Sequence, residues 1–324
     1  MKVRIATCNI FWFPSSGYIG NSRSSTDLDK VREVIARLDA DIIVFQEIRD
    51  LQALNDLLSA IPNRSYKMRD KNNNWAASTL HQPGNIKVPV AFDSNKLELL
   101  EVGNALVAGE DLSEFGMRDP VAARLRPVGG GPTLTVIGVH LKSGDLTVEP
   151  MVSADDKKRI EEIKKLLEWI KTLAPVTPGG QKRPAQEPTV LLGDFNAING
   201  NVSLKHLLSD AVLSTWAWPQ PRFASSVSPS PVELLNLQTH ERWTTHLDKK
   251  IIDHVFLSPE VKLVEGPWVY AYDRDDSWLQ AAGVSKNWLE EFGYTLTKNG
   301  ISSPTKNINR VTDHRPVRVT VELT

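Results

Sequence analysis

The sequence predicts an α/β fold, and three observations predict it. Short apolar runs of strand length recur along the chain and stop at polar residues; amphipathic helical segments fall between several of them; and the polar ends are spread from residue 9 to residue 314. A chain of 324 residues has the length of one large unit or two ordinary ones. Polar ends distributed over the whole length can build one site only if both halves pack together, so residues 1–324 are expected to form a single domain. The 41% hydrophobic content supports a large core.

Val3 to Asn9 is the first strand, entered at once from the N-terminus. A Ser-, Gly- and Asn-rich loop, Pro14 to Ser25, leads to a helix over about 27–38, with Leu28, Val31, Ile35 and Leu38 on one face and Thr26 or Asp27 as its cap. Asp41 to Phe45 is a second strand that finishes on Gln46 and Glu47, and Leu51 to Ile61 a second helix. Tyr66 to Met68, Val88 to Phe92, Leu97 to Val102 and Val121 to Leu125 are short strands joined by turns, the pattern of antiparallel pairs. Leu134 to His140 is another strand. Ser153 to Leu173 is the clearest helix, with Ile160, Ile163, Leu166, Leu167 and Ile170 as its buried stripe.

The Pro- and Gly-rich stretch Pro175 to Pro188 is a surface loop feeding the apolar run Thr189 to Leu192. That run ends in Gly193-Asp194-Phe195-Asn196-Ala197. Strand residues two apart share a face, so Asp194 and Asn196 point to one phosphorus or one water if the extended backbone continues that far. The run Ile251 to Phe256 carries Asp253, with His254 facing the other side of the sheet as a structural residue. Thr312-Asp313-His314 precedes the final strand, Pro316 to Leu323. Residues 214–250 and 271–310 have weak periodicity and are expected to be functional loops or insertions.

Composition narrows the classes. The 38 basic and 39 acidic residues give a formal charge of −1, which excludes global attraction to nucleic acid or anionic membrane and leaves room for a local basic groove. The single cysteine, Cys8, cannot form an intramolecular disulfide and is expected to pack as a small apolar residue. No apolar stretch reaches transmembrane length. The start Met1-Lys2-Val3-Arg4 lacks the regions of a signal peptide, so a cytoplasmic location is the default expectation, or a secreted one for a trimmed mature form.

Taken in order, the stretches TCNI around Asn9, FQEI around Glu47, GVHLKS around His140, LLGDFNA around Asp194 and Asn196, IIDHVFLS around Asp253 and TDHRPV around Asp313 and His314 resemble the endonuclease/exonuclease/phosphatase superfamily. That superfamily includes pancreatic-type deoxyribonucleases, abasic-site endonucleases, bacterial sphingomyelinases and inositol polyphosphate 5-phosphatases. Each motif is short; six in the family's order cover nearly the whole chain. The resemblance implies a DNase I-like four-layer α/β sandwich, two packed mixed sheets flanked by helices, forming one catalytic domain.

It also implies roles. Glu47 holds a divalent metal, Mg²⁺ with Mn²⁺ as the alternative, with Asn9 beside it and Asp313 as a further carboxylate near the ion. Asp253 fixes the imidazole of His314; Asp194 orients or deprotonates the attacking water; Asn196 and His140 donate to phosphate oxygens; either Asp194 or His314 takes the water's proton. Lys142, on the His140 side if the chain stays extended, and Arg118 are substrate contacts. Two family features are not identified among these motifs: an acidic partner orienting His140, and a Tyr near the phosphate. The expected activity is phosphodiester hydrolysis, with nucleic acid as substrate and a DNase-like endonuclease as the leading form. A phosphoinositide phosphatase or sphingomyelinase-like phosphodiesterase is the alternative. A catalytically silent binding scaffold would lack Glu47, Asp194 or His314, and all three are present.

Overall fold

A computed structural model of the chain describes residues 1–16, 21–69, 86–105, 118–145, 151–173, 187–198, 201–209, 215–217, 220–221, 252–269, 296–297, 300–301, 312, 314 and 316–323. Most of segments 214–250 and 271–310, most of the 175–188 loop, and Asp313 lie outside these residues.

Along the chain come β1 (Lys2–Phe13), β2 (Ser15–Ser16), β3 (Asn21–Ser22), α1 (Ser25–Leu38), β4 (Ile42–Ile48), α2 (Leu51–Ser59), β5 (Tyr66–Arg69), β6 (Val90–Asp93), β7 (Leu97–Asn104), β8 (Val121–Pro127) and β9 (Leu134–His140). Then follow α3 (Ala154–Thr172), β10 (Thr189–Asp194), α4 (Val202–Ser209), β11 (Thr215–Ala217), β12 (Gln220–Pro221), β13 (Asp253–Leu257), β14 (Lys262–Val269), β15 (Leu296–Thr297), β16 (Gly300–Ile301) and β17 (Val317–Glu322).

Two mixed sheets form the centre, one of seven strands in the order β12-β14-β17-β1-β4-β6-β5 and one of six in the order β11-β13-β10-β9-β8-β7. In the first, β1 runs parallel to β4 and antiparallel to β17; in the second, β10 runs parallel to β9 and antiparallel to β13. Three apolar clusters glue four layers. Val3, Ile5, Ile42 and Val44 meet Val136, Val190, Leu192 and Val255 between the sheets. On the outer face of the first sheet, Ala6, Cys8, Ile43 and Phe45 pack against Val31, Ile35, Leu54 and Leu58 of α1 and α2. On the outer face of the second, Ile137, Leu191 and Phe256 pack against Ile163, Leu166 and Ile170 of α3 and Leu204 of α4. Central strands covered on both faces explain why the runs at 42–45 and 190–192 are continuously apolar instead of alternating.

Helix ends differ in detail from the expectation. The cap of α1 is Ser24, not Thr26 or Asp27: Ser24 Oγ accepts the Asp27 N–H while Asp27 accepts the Ser24 N–H, a reciprocal box that places Asp27 in the first turn. Helix α3 starts with the same device, Ser153 and Asp156. Its inner face also departs from the expected stripe. Ile160 is only half-buried, whereas Asp156, Arg159 and Glu162 are buried in line with Ile163, Leu166 and Ile170.

Candidate active site

Strand register assembles one side of the site. Asp194 ends β10 and is paired across the sheet with His140, the last residue of β9, and with Asp253, the first residue of β13. Three neighbouring strands therefore carry His140, Asp194 and Asp253 side by side. The other sheet supplies Asn9 and Glu47 from its parallel pair β1 and β4.

Glu47 reaches the site through a break in strand alternation. Ile43 and Phe45 face the helices while Ile42 and Val44 face the other sheet, so a regular strand would turn Glu47 toward α1 and α2. Instead Glu47 has φ 61°, and the β1–β4 register jumps from Asn9↔Gln46 to Phe13↔Ile48, leaving residues 10–12 bulged opposite it. Bulges beside functional sites re-aim side chains in this way. Phe11 and Trp12 in the bulge also have positive φ, 36° and 59°. Arg23 donates to the carbonyls of Ile10 and Phe11, and Asn9 Oδ1 accepts the Phe11 N–H, so the bulge's polar groups are held.

The side chains converge on Asp194 Oδ2. Asn9 Nδ2 donates to it at 3.1 Å and to Glu47 Oε1 at 3.2 Å. His140 Nε2 lies 3.5 Å from the same Asp194 oxygen and 3.8 Å from Glu47 Oε1. His314 Nε2 lies 3.7 Å from it, and His314 Nδ1 is 2.8 Å from Asp253 Oδ2. Thr312 fixes the approach of this histidine, its hydroxyl donating to the Asn9 carbonyl and accepting the His314 N–H. Thr312 opens the TDHRPV stretch, but its bond to the Asn9 carbonyl comes from tertiary packing and could not be read from the sequence.

Burial sets the protonation states. It pushes the Asp194 carboxyl up to about 6; His314 opposes that shift and Asp253 adds to it. It holds His140 well below the usual histidine value, with the charges of Arg118 and His314 acting in the same direction, so the ring is neutral at neutral pH. His140 Nδ1 is buried and has no hydrogen-bond partner. Among the described residues, none supplies the acidic partner for this nitrogen.

Several expected contributors are bonded to protein groups beside this cluster. The extended backbone does not continue past Asp194: Asn196 has φ 47°, its N–H bonds Asp194 Oδ1 at 2.8 Å, and its amide Nδ2 donates to the Leu141 carbonyl at 3.0 Å. Arg118 donates to that same carbonyl at 2.8 Å and to Ser143 Oγ at 3.0 Å. Lys142 does not follow His140 into the carboxylate cluster, because β9 ends at His140; its ammonium pairs with Asp155, 3.2 Å away, and the Ser143 carbonyl. His254 points to the helix side, its Nε2 2.7 Å from the Ala197 carbonyl beside the ring of Phe195, and burial lowers it to about 4. Cys8 is buried in the α1–α2 layer, as expected.

Glu47, His140 and Asp194 present ligand atoms within 4.8 Å of one another, and so do Asp194, Asp253 and His314. Carboxylates gathered with so little access to water are costly unless a positive charge offsets them. The two carboxylates of the first group suit a hard divalent cation such as Mg²⁺ or Mn²⁺.

A family model described as Endonuclease/Exonuclease/phosphatase family matches residues 149–314. No curated protein matches the chain significantly. Among solved structures, the human Nocturnin catalytic domain with bound sulfate anion is 16% identical, with a TM-score of 0.56 over 100% of this chain and 95% of that one. D. rerio TDP2 complexed with single strand DNA product is 14% identical at TM-score 0.58, and the Bacteroides thetaiotaomicron mannosyl-6-phosphatase Bt3783 is 18% identical at 0.54, each over 99% of both chains. At such identities the likeness shows a common fold, the DNase I-like sandwich expected from the motifs.

Proposed function

The chain belongs to the endonuclease/exonuclease/phosphatase family, and from that premise we propose that it is a divalent-metal-dependent phosphoesterase that hydrolyses phosphodiester bonds, with nucleic acid as its substrate. The observation that carries the proposal is the convergence on Asp194: Asn9, His140 and His314 all lie within 3.7 Å of its Oδ2, and His314 is held from behind by Asp253.

Glu47 is the principal residue to hold Mg²⁺ or Mn²⁺, with Asn9 beside it and Asp313 as the further carboxylate. When bound, the ion supplies Lewis-acid neutralisation of charge on the phosphoryl and leaving oxygens. Asn9 keeps the Glu47 and Asp194 carboxylates apart at a fixed spacing by donating to both. Neutral His140 donates from Nε2 to a non-bridging phosphoryl oxygen, and Asn196 donates with the amide hydrogen not given to Leu141.

Asp194, with its carboxyl raised toward neutrality, orients water and takes its proton as the water oxygen bonds phosphorus and the ester oxygen departs. His314, its imidazole fixed by Asp253, stabilises the charge that builds on the phosphoryl group. Arg118 and Lys142 bring positive charge beside Leu141 and Ser143. The nuclease form draws on TDP2, a neighbour captured with a single strand DNA product.

The test is nicking of supercoiled plasmid by purified protein with Mg²⁺, beside single-stranded DNA and a phosphomonoester, with chelator and His314→Ala as controls. Nicking lost in both controls supports the endonuclease form. Cleavage of the phosphomonoester alone would replace it with a phosphatase.

A further inference from the structure

Helix α3 buries three ionisable side chains, Asp156, Arg159 and Glu162, where a core helix would place apolar ones. Arg159 is 0% exposed. Buried ionic groups of this kind contribute little net stability and are often replaceable by packed hydrophobic residues, so their partners matter. Those partners are the backbone of residues 142–145. Glu162 Oε2 accepts the Lys142 N–H at 2.9 Å, while Arg159 donates to the Lys142 carbonyl at 2.8 Å and the Asp145 carbonyl at 2.5 Å. Asp156 holds Arg159 at 2.5 Å with the oxygen that also accepts from Asn201, and caps its own helix with the other.

This segment begins two residues after His140, with Leu141 between them. The Leu141 N–H bonds the Asp194 carbonyl at 2.9 Å, and the Leu141 carbonyl receives both Arg118 and Asn196. Gly144 lies so close to α3 that an added Cβ would sit 1.9 Å from Asp155 Oδ2. Among the described residues, none hydrogen-bonds His140 Nδ1 to set its ring. Its aim therefore depends on how firmly the backbone beyond it is held.

We propose that Arg159 and Glu162 are positioning residues of the active site, fixing residues 141–145 so that His140, Arg118 and Asn196 keep their aim at the phosphoryl group. The assignment rests on the phosphoesterase reading for its catalytic consequence, and on geometry alone for the orientation of His140.

The experiment compares Glu162→Leu, Glu162→Gln and Arg159→Lys with wild type and with Leu58→Ala, a cavity variant in the α1–α2 layer chosen to match the loss of thermal stability. Two signals are read: the ring nitrogen resonances of His140 in ¹⁵N-histidine-labelled protein, assigned with His140→Gln, and kcat and KM for bis(p-nitrophenyl) phosphate. Glu162→Leu and Arg159→Lys, whose ammonium cannot span both carbonyls, are expected to displace the His140 resonances. They should also lower kcat about tenfold while KM stays within about threefold. Glu162→Gln, which keeps an acceptor for the Lys142 N–H, should restore both signals, and Leu58→Ala should move neither. His140 resonances that stay in place in Glu162→Leu and Arg159→Lys would overturn the proposal, as would equal losses in Leu58→Ala. If Glu162→Leu fails to fold, Arg159→Lys decides. Absence of turnover in wild type would sink the hydrolase reading, not this one, since the resonances are read in either case.

Discussion

His314 and Asp253 form a buried pair, Nδ1 to Oδ2 at 2.8 Å, that turns the far ring nitrogen toward Asp194. An aspartate in this position fixes the tautomer and favours the charged ring. Asp253→Asn keeps the shape and removes the charge. It is expected to lower kcat by on the order of 10²-fold with little change in KM, measured by steady-state kinetics on bis(p-nitrophenyl) phosphate. An unchanged kcat would mean that the pair is only structural.

Divalent cations should stabilise the fold through Glu47. A ligand present at a hundredfold excess over its Kd contributes about 2.7 kcal/mol, which is readable as a rise in the unfolding midpoint when Mg²⁺ or Mn²⁺ is added to chelator-treated protein. Glu47→Gln should abolish most of that rise. A midpoint indifferent to both ions would remove the metal from the account.

Glu162 makes stability depend on pH in a defined direction. Burial raises it to about 7 from 4.5, against the pull of the Lys142 N–H and nearby arginines. The folded state therefore binds a proton that the unfolded state has released, and this group's contribution falls as pH rises from about 4.5 to about 7 and is flat above that. Glu162→Gln, which does not titrate, should gain on wild type by on the order of 2–3 kcal/mol between those limits, read from denaturant unfolding at pH 5 and pH 8.

Gly138 lies at a close approach of the two sheets. A Cβ there would lie 2.4 Å from Val44 Cγ1, on the facing strand β4. Gly138→Ala should cost about 1–3 kcal/mol by overpacking, and Val44→Ala in the same molecule should recover part of it, a coupling visible in a double-mutant cycle.

Six residues of the candidate site were legible in the sequence because each lies in, at the end of or beside an apolar run that must be strand: Asn9, Glu47, His140, Asp194, Asp253 and, across a short gap, His314. What was hidden depends on departures from regular backbone or on distant partners. Positive φ at Glu47 and Asn196 defeats face-counting by twos, sending Glu47 into the site and tying Asn196 to Leu141. Asp156, Arg159 and Glu162 escaped because charge on a helix is read as facing solvent. Their spacing of three, continuous with Ile163, Leu166 and Ile170, was the available signal.

The most direct test of the central claim is the Mg²⁺ dependence of bis(p-nitrophenyl) phosphate hydrolysis by wild type, Glu47→Gln and Asp194→Asn. Turnover should saturate with Mg²⁺, disappear with chelator, and fall by on the order of 10²-fold or more in each variant. Turnover by wild type that survives the chelator, or that persists in Asp194→Asn, would contradict the claim.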